Sequence, residues 1–394
     1  LLEKDSDLGG MARRMHYTLE GLDVQPWLAD LKKKVYRHRD IHVITDAEIT
    51  GVNGYVGNFE TRVKSKGRVR TIKHGVAIIA SGAAEHKPTE YLYGKSARVM
   101  TQLELEHELG TGGAGVANMQ SLVMIQCVGC RQEDRNYCAR VCCSGAMKNA
   151  LKLKAVNPAA DMYVLFRDMR TYGFREDYYR EASNKDVKFI RFEPSDKPVV
   201  EEVDEGGRSF LRVTVTDPIL GKKLALDVDN VVLSAAVVPA PGAQALARQF
   251  KVTLGPDGFF QEAHVKLRPV DFAAEGIYLC GTAQYPKHLG ETISQAYGAA
   301  GRALTTLTRD TVVASGSVCA VDDIDCVSCG ACITCCSYGA IEFQDTPRGK
   351  KAVVNPVLCK GDGLCNAKCP TGAISLKHYT DGEVLRQIDA ALAG

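Results

Sequence analysis

Short apolar runs alternate along this chain with stretches in which apolar residues recur at helical spacing. Gly75-Val76-Ala77-Ile78-Ile79-Ala80, Ser121-Leu122-Val123-Met124-Ile125-Gln126, Met162-Tyr163-Val164-Leu165-Phe166 and Gly276-Ile277-Tyr278-Leu279 read as buried strands, because near-continuous apolar runs of this length suit strands covered on both faces. Between them lie helical patterns, such as 103–109 and the stretch through Lys148, Leu151 and Lys154. Strands alternating with helices predict an α/β architecture. The chain opens on Leu1-Leu2-Glu3-Lys4, which reads as the end of a further buried strand rather than a natural start. No apolar stretch approaches the roughly 20 residues needed to cross a bilayer, so no membrane span is expected.

Composition narrows the function classes. A chain of 394 residues suits two or three domains. With 49 basic against 47 acidic residues, it carries no large field to hold nucleic acid or an anionic membrane. The one basic run, Lys32-Lys33-Lys34, reads as the solvated face of a helix. The fifteen cysteines fall in three tight groups, leaving Cys280 and Cys319 apart. Adjacent pairs, Cys142-Cys143 and Cys335-Cys336, are awkward for a disulfide framework but suit thiolates converging on a metal cluster. A reducing, anoxic cytoplasmic setting is therefore expected, and the first residues show no signal-peptide pattern.

From Cys326 the chain reads Cys-Val-Ser-Cys-Gly-Ala-Cys-Ile-Thr-Cys-Cys, which sets Cys326, Cys329 and Cys332 at intervals of three, followed by Cys336. Thiolates so spaced suit a tight loop around a cubane, with backbone N–H groups turned to its sulfides. Gly330 and Ala331 keep side chains out of that approach. A second run follows with Cys359, Asp362, Cys365, Cys369 and Pro370. The Gly-Ala-Ile after each run repeats, so the two read as duplicated units of cluster loop, short helix and strand, with strands at 340–343 and 373–376. Both runs resemble those of bacterial two-cluster ferredoxins, in which the fourth cysteine of each run serves the other cluster. The resemblance implies one 4Fe-4S cluster on Cys326, Cys329, Cys332 and Cys369. It implies another on Cys336, Cys359 and Cys365, with Asp362 where a cysteine is expected. A carboxylate is a harder, weaker iron ligand than a thiolate. Either Asp362 holds a labile iron, giving a site prone to the 3Fe-4S form, or it is a loop residue and no ligand. Cys319 and Cys335 read as spare buried thiols. Zinc ribbons use paired knuckles rather than three evenly spaced cysteines and a fourth.

The start of the chain carries a different signal. Leu1-Leu2-Glu3-Lys4 is followed by Leu8-Gly9-Gly10-Met11-Ala12. In dinucleotide-binding folds an acidic residue ending the second strand bonds the adenosine ribose, about 20 residues after the first glycine loop. Glu3 and Lys4 stand at such a strand end, and Gly9, Gly10 and Met11 let backbone approach a cofactor. The first strand and its loop are then expected upstream of Leu1 or supplied elsewhere. Gly75 through Gly82, and Gly276 through Thr282 with 291–296 opening a helix, resemble the flavin-facing elements of the thioredoxin-reductase-like family. The resemblance implies that Ala80, Ser81, Gly82, Gly281 and Thr282 face the ribityl chain and pyrophosphate of FAD. Gln295 and Ala296, at a helix start, would turn N–H dipoles to the flavin pyrimidine edge. Thr282 stands where that family usually has Asp. The run Gly110-Thr111-Gly112-Gly113-Ala114-Gly115 fits a dinucleotide fingerprint by letter. It follows a helix and precedes a strand, the reverse of the required context, and reads as a flexible hinge.

After the strand 121–126 come Cys127, Cys130, Cys138, Cys142 and Cys143, the last two opening a helix. In a reductase with two dinucleotide domains this strand–turn–helix would cradle NAD(P)H on glycines, and here cysteines occupy the turn. This stretch, with Phe-Arg-Asp-Met-Arg-Thr-Tyr-Gly-Phe-Arg-Glu-Asp-Tyr-Tyr after it, resembles HdrA of heterodisulfide reductase and its bacterial homologues. The resemblance extends over nearly the whole chain. It implies a 4Fe-4S cluster on Cys127, Cys138, Cys142 and Cys143 beside the flavin. Cys130 stands where the family usually has serine, which leaves Cys127 and Cys130 as alternatives. Lys148, one turn beyond Cys143, is expected to approach the isoalloxazine ring, where a cation stabilises reduced flavin. An N-terminal cluster domain and a ferredoxin insert after 54–59, which longer members carry, do not appear in this sequence.

The expected fold is thus α/β: a thioredoxin-reductase-like FAD domain (1–115 and 244–315) with an inserted second dinucleotide-type α/β domain (116–243), and a C-terminal α+β two-cluster ferredoxin domain (316–394). The resemblance implies an oxidoreductase subunit with FAD and three 4Fe-4S clusters, splitting electron pairs into single electrons, with electron bifurcation toward ferredoxin. Its partners would be HdrB- and HdrC-like subunits, an input protein linked to a hydrogenase or formate dehydrogenase, and a second copy of the chain. Two rival readings are a self-sufficient NAD(P)H-dependent oxidoreductase of the glutamate-synthase small-subunit kind and a wiring or scaffold protein with a vestigial flavin fold. The first lacks a second glycine fingerprint.

Overall fold

The alternation of the strand Ser121–Val128 organises the middle of the chain. Leu122 and Met124 point to one face and Val123 and Ile125 to the other, as a period of two requires, and all four are fully buried. In the computed structural model, which describes residues 1–117, 119–311 and 316–393, this strand is the centre of a five-stranded parallel sheet. The order is Val99–Thr101, Asn230–Ala235, Ser121–Val128, Asp161–Phe166 and Val187–Arg191. Leu122 and Met124 pack with Leu105, Met147, Ala150 and Leu153 from the helices Gln102–Thr111 and Cys142–Val156. Val123 and Ile125 pack with Leu211, Val213 and Val215 from an antiparallel sheet of Val199–Glu205, Arg208–Asp217 and Lys222–Val228.

Strand Val99–Thr101 and helix Gln102–Thr111 belong to this unit, so it takes in residues that the expected boundary at 115/116 leaves to the flavin-type region. The glycine run lies inside the unit rather than at a hinge. Gly112, at φ 70°, ends helix Gln102–Thr111 in the left-handed conformation that glycine adopts without strain. The boundary expected at 315/316 falls outside the described residues.

The flanking unit is built from both sides of this insertion. Leu2 bridges Ile44 in parallel, with Glu3 N donating to Ile44 O at 2.9 Å. Helix Val24–Arg37 and an antiparallel meander of Ala47–Asn53, Phe59–Ser65 and Arg68–His74 follow. Strand Ala77–Ile79 then pairs in parallel with Ile277–Leu279, from far along the chain. The crossings between the units, Ala83–Glu85 and Val237–Pro239, run side by side as an antiparallel pair.

The C-terminal module has its own core, made largely of cysteines and small apolar residues. Strand Cys319–Val321 pairs with Ile374–Leu376, Ile341–Thr346 pairs with Gly349–Val354, and the short helices are Ala331–Cys335 and Leu364–Lys368. Lys360 pairs with Glu275 at 3.0 Å, and Val357 packs into the flavin-type core. Among the described residues no helix is long and apolar enough to cross a membrane.

Candidate functional site: a cysteine loop beside two strand ends

Two parallel strands end together in the flavin-type unit. Gly82 and Gly281 both adopt positive φ, 73° and 72°, beyond the ends of Ala77–Ile79 and Ile277–Leu279, and Thr282 Oγ1 stands 3.9 Å from where a Cβ on Gly82 would lie. Ala80 and Ser81 are exposed there. Gln295 Oε1 accepts from the Gly281 N–H at 2.8 Å, and its Nε2 donates to Gln284 at 2.6 Å.

The helix that carries Gln295 begins at Leu289, earlier than expected. Its start is fixed by Glu291, whose Oε2 accepts the His288 N–H at 2.8 Å. The N–H groups of Gln295 and Ala296 therefore lie within the helical ladder and are not free to point at a ligand. Gln295 reaches the strand end through its side-chain amide instead.

The segment after the first strand reaches the same place. Gly9, at φ 116°, opens the short helix Gly10–Arg14, and a Cβ on Gly9 would lie only 3.0 Å from Arg13 Cγ and 3.1 Å from Leu28. Arg14 pairs with the largely buried Glu85 carboxylate at 2.7 Å, which fixes this segment beside the strand that follows Gly82. Glu3 is half-buried and accepts the Asp5 N–H at 2.9 Å, while Lys4 is exposed.

The cysteine loop lies against these strand ends. Cys127, Cys130, Cys142 and Cys143 pack in one cluster with Ala83, the residue after Gly82, and with Val237 and Val238 from the returning strand. Cys127 takes a positive φ of 63°, and Gly129 one of 78°, so the chain turns sharply where the central strand ends. His86 lies over Gly129, too close for a Cβ there. A hydrogen bond from Cys130, helped by Arg131 and Arg167, pulls the Cys127 thiol down to about 6 despite burial. The same contact and burial push Cys130 up. Cys142 likewise lowers Cys143 and is itself raised. All four are thus within electrostatic reach of one another, and Cys138 acts on Cys130 as well.

Arg140, between Cys138 and Cys142, ties this loop to the helix Leu289–Leu307. Its guanidinium donates to Pro286 O at 3.2 Å and to Glu291 at 2.9 Å. Beside it, Lys287 Nζ donates to Gly281 O at 2.6 Å, Gln284 Oε1 at 3.0 Å and Tyr285 O at 3.0 Å. Burial, then Arg140, lowers Lys287 to about 8. Neither residue belongs to a motif legible in the sequence. Arg140 is one arginine between candidate ligands, and two of the three acceptors of Lys287 are backbone atoms that no side-chain pattern reveals.

Lys148 is not a free cation. Its ammonium pairs with Glu106 at 2.7 Å and donates to Tyr17 O at 2.8 Å. Both side chains are largely buried, 12% and 1% exposed. An ammonium has three donors, so among the described residues one N–H is left without a hydrogen-bond acceptor, with the Tyr17 ring centroid 5.1 Å from Nζ.

In the C-terminal module a cavity is lined by Cys326, Cys329, Cys332 and Cys369 together with Ala352. The structure therefore brings the fourth cysteine of the second run to the first. Cys336 Sγ accepts the Ala340 N–H at 3.3 Å, and Cys359 and Cys365 are buried in the same core. Asp362 is exposed, and its Oδ1 accepts the Leu364 N–H at 3.2 Å. Among the described residues no three His, Cys, Asp or Glu side chains form a site for a single metal ion. Thiolates of a cubane each bind a different iron, so a cluster site is not a site of that kind.

Comparison with known proteins gives these placements a family. Residues 325–373 match the model of the 4Fe-4S dicluster domain. The A-type component of the H(2):CoB-CoM heterodisulfide,ferredoxin reductase from Methanothermobacter marburgensis is 30% identical over 485 residues, covering 100% of this chain and 72% of the relative. The corresponding iron-sulfur component of the CoB–CoM heterodisulfide reductase of Methanocaldococcus jannaschii is 31% identical, covering 100% of this chain and 73% of the relative. The chain belongs to the HdrA family of heterodisulfide reductase. It is accordingly an oxidoreductase subunit with an iron–sulfur region at its C-terminal end. Each alignment is longer than the 394 residues here, so these relatives carry further residues inside the aligned span. Among solved structures, Lactococcus lactis thioredoxin reductase superposes with a TM-score of 0.52 at 15% identity, covering 78% of this chain and 90% of that one. That likeness establishes the thioredoxin-reductase-like fold.

The residues fit clusters at both places. In the module, four cysteines surround one cavity. In the loop, Gln126 Nε2 and Ser144 Oγ, which flank the cysteines in sequence, are buried donors without a hydrogen-bond partner among the described residues. Such donors cost about 1–3 kcal/mol each when left unpaired, and cluster sulfides are acceptors that would satisfy them.

Proposed function

We propose that this chain is the flavin-bearing electron-transfer component of a heterodisulfide-reductase-like complex. The observation that carries the reading is the contact between two redox-type sites. Ala83, immediately after the flavin-type strand end, packs in one cluster with Cys127, Cys130, Cys142 and Cys143. Bound FAD would exchange electrons in pairs with a donor and singly with 4Fe-4S clusters. Gly9, Gly82 and Gly281 would let backbone approach FAD, with Glu3, Lys4, Gly10, Met11, Ala80, Ser81, Thr282, Gln295 and Ala296 around it. Cys127, Cys138, Cys142 and Cys143 would hold the nearer cluster. The set Cys326, Cys329, Cys332 and Cys369 would hold one of two in the module, and Cys336, Cys359 and Cys365 belong to the other.

The protein's own work is spacing and electrostatics. Arg140 locks the loop to the helix that carries Gln295, which fixes the distance between the two sites. The remaining N–H of Lys148 is available to stabilise negative charge on a reduced ring. Sending one electron of a pair toward ferredoxin and one toward a higher-potential acceptor would make this bifurcation. The relatives' names, a heterodisulfide and ferredoxin reductase among them, support that reading. Anaerobic native purification tests it. Co-purification with other redox subunits, with flavin absorbance, is expected. A lone chain fully active with NADH would overturn the complex-component reading.

A further inference from the structure

The duplicated units of the module differ at a position just ahead of each cysteine run. Cys319 precedes Cys326, and Ala352 precedes Cys359, by the same seven residues. The two are therefore counterparts in the duplication, and both are buried, at 4% exposure. Ala352 lines the cavity surrounded by the four cysteines of the first site. Its counterpart lies among the cysteines of the other site. Cys319 Sγ lies 3.4 Å from Cys365 Sγ, and the Cys319 N–H lies 3.4 Å from Cys359 Sγ. The wall is thus alanine where all four run positions are cysteine, and cysteine where one of them, Asp362, is not.

Asp362 is the positional counterpart of Cys329, and their contacts differ. Cys329 lines its cavity, whereas Asp362 Oδ1 turns back to the Leu364 N–H of its own loop. We propose that Cys319, and not Asp362, supplies the fourth thiolate of the second cluster, with Cys336, Cys359 and Cys365. This rests on the reading of the module as a two-cluster carrier. On ligation the Cys319 thiol gives its proton to solvent and an Fe–S bond forms, with no change of oxidation state. A soft sulfur ligand from the neighbouring strand then makes this an all-thiolate site. It is drawn from outside the run, on strand Cys319–Val321, which its pairing with Ile374–Leu376 holds in place.

The test is iron and sulfide content with EPR and Mössbauer spectra of the anaerobically purified full chain. Wild type is compared with Cys319→Ser, Cys319→Val, Asp362→Ala and Cys335→Ser. Cys319→Val keeps an apolar, strand-favouring side chain in the buried position, and the unchanged signal of the Cys326 site reports that the module is folded. The expected result is that both Cys319 variants lose iron from the second site and show the three-iron signal or none. Asp362→Ala and Cys335→Ser should keep the four-iron spectrum. Loss in Asp362→Ala or Cys335→Ser with Cys319 variants unaffected overturns the assignment. A wild type with only one module cluster overturns the two-cluster reading itself, and the inference with it.

Discussion

The C-terminal module and the loop 127–143 both gather cysteines, yet they do so by different means. In the module most candidate ligands lie in two short runs, each containing a five-residue helix, so local spacing draws much of each set together. In the loop, Cys127 stands at the end of a central parallel strand and Cys142 and Cys143 at the start of a helix, with Cys138 between. Only the sheet, buried on both faces, holds those ends in register. The contrast teaches that spacing identifies a cluster site when the ligands share one loop. Where a fold supplies the ligands, spacing alone does not identify the site, and the same fold can set it against a neighbouring site, as Arg140 and Ala83 do here.

That contrast can be broken most sharply at the loop. Cys142→Ser should remove about four irons and depress electron transfer beyond the roughly 10–100-fold typical of losing a supporting contact, while the module's spectra persist. Iron analysis and EPR check this. Loss of the module clusters as well would mean that the two regions are not independent.

A large effect on stability is expected at Lys148, which connects the sheet unit to the flavin-type unit. Lys148→Met leaves Glu106 buried without its cation and should cost about 3–5 kcal/mol, read by urea denaturation. Adding Glu106→Gln should recover much of that loss. On the proposed role of its remaining N–H at the flavin, Lys148→Met should also lower the flavin potential, which a redox titration reads.

Arg140→Ala should cost about 1–2 kcal/mol through the lost hydrogen bonds and slow electron transfer roughly tenfold or more. Arg140→Lys should rescue only in part, because an ammonium cannot span Pro286 O and Glu291 as a guanidinium fork does. Stopped-flow reduction of the clusters separates the two variants.

A further expected effect is a pH dependence at Lys287. Its folded value is about 8, below the ordinary 10.5. The unfolded chain therefore holds the proton over that interval while the folded chain releases it, and stability rises as pH climbs from about 8 toward 10.5. Below that interval the desolvation cost of the ammonium is fully present. Lys287→Met should abolish the rise, as denaturation midpoints across this range would show.

Much of this is legible in the sequence wherever the signals are local. The strands 121–126 and 162–166 announce themselves as apolar runs, and the run from Cys326 names its own chemistry. A boundary at 115/116 does not anticipate the sheet, because Val99–Thr101 is a three-residue strand, too short for periodicity to register, and joins Asn230–Ala235 from far along the chain. The start of helix Leu289–Leu307 is hidden because its cap, His288 with Glu291, has none of the usual Ser, Thr, Asp or Asn at the first position. Cys319 reads as a spare thiol because its partners, Cys359 and Cys365, are 40 and 46 residues away and meet it only through the folding of the module.

The central claim is that electrons pass between the flavin site and the module through the loop 127–143. The most direct measurement is rapid-mixing EPR on the co-purified complex, reduced by its own electron-input partner, comparing wild type with Cys142→Ser. The account predicts that flavin absorbance still bleaches in the variant while the module clusters stay oxidised on the same timescale. Module clusters that reduce at the wild-type rate without the loop cluster would contradict it.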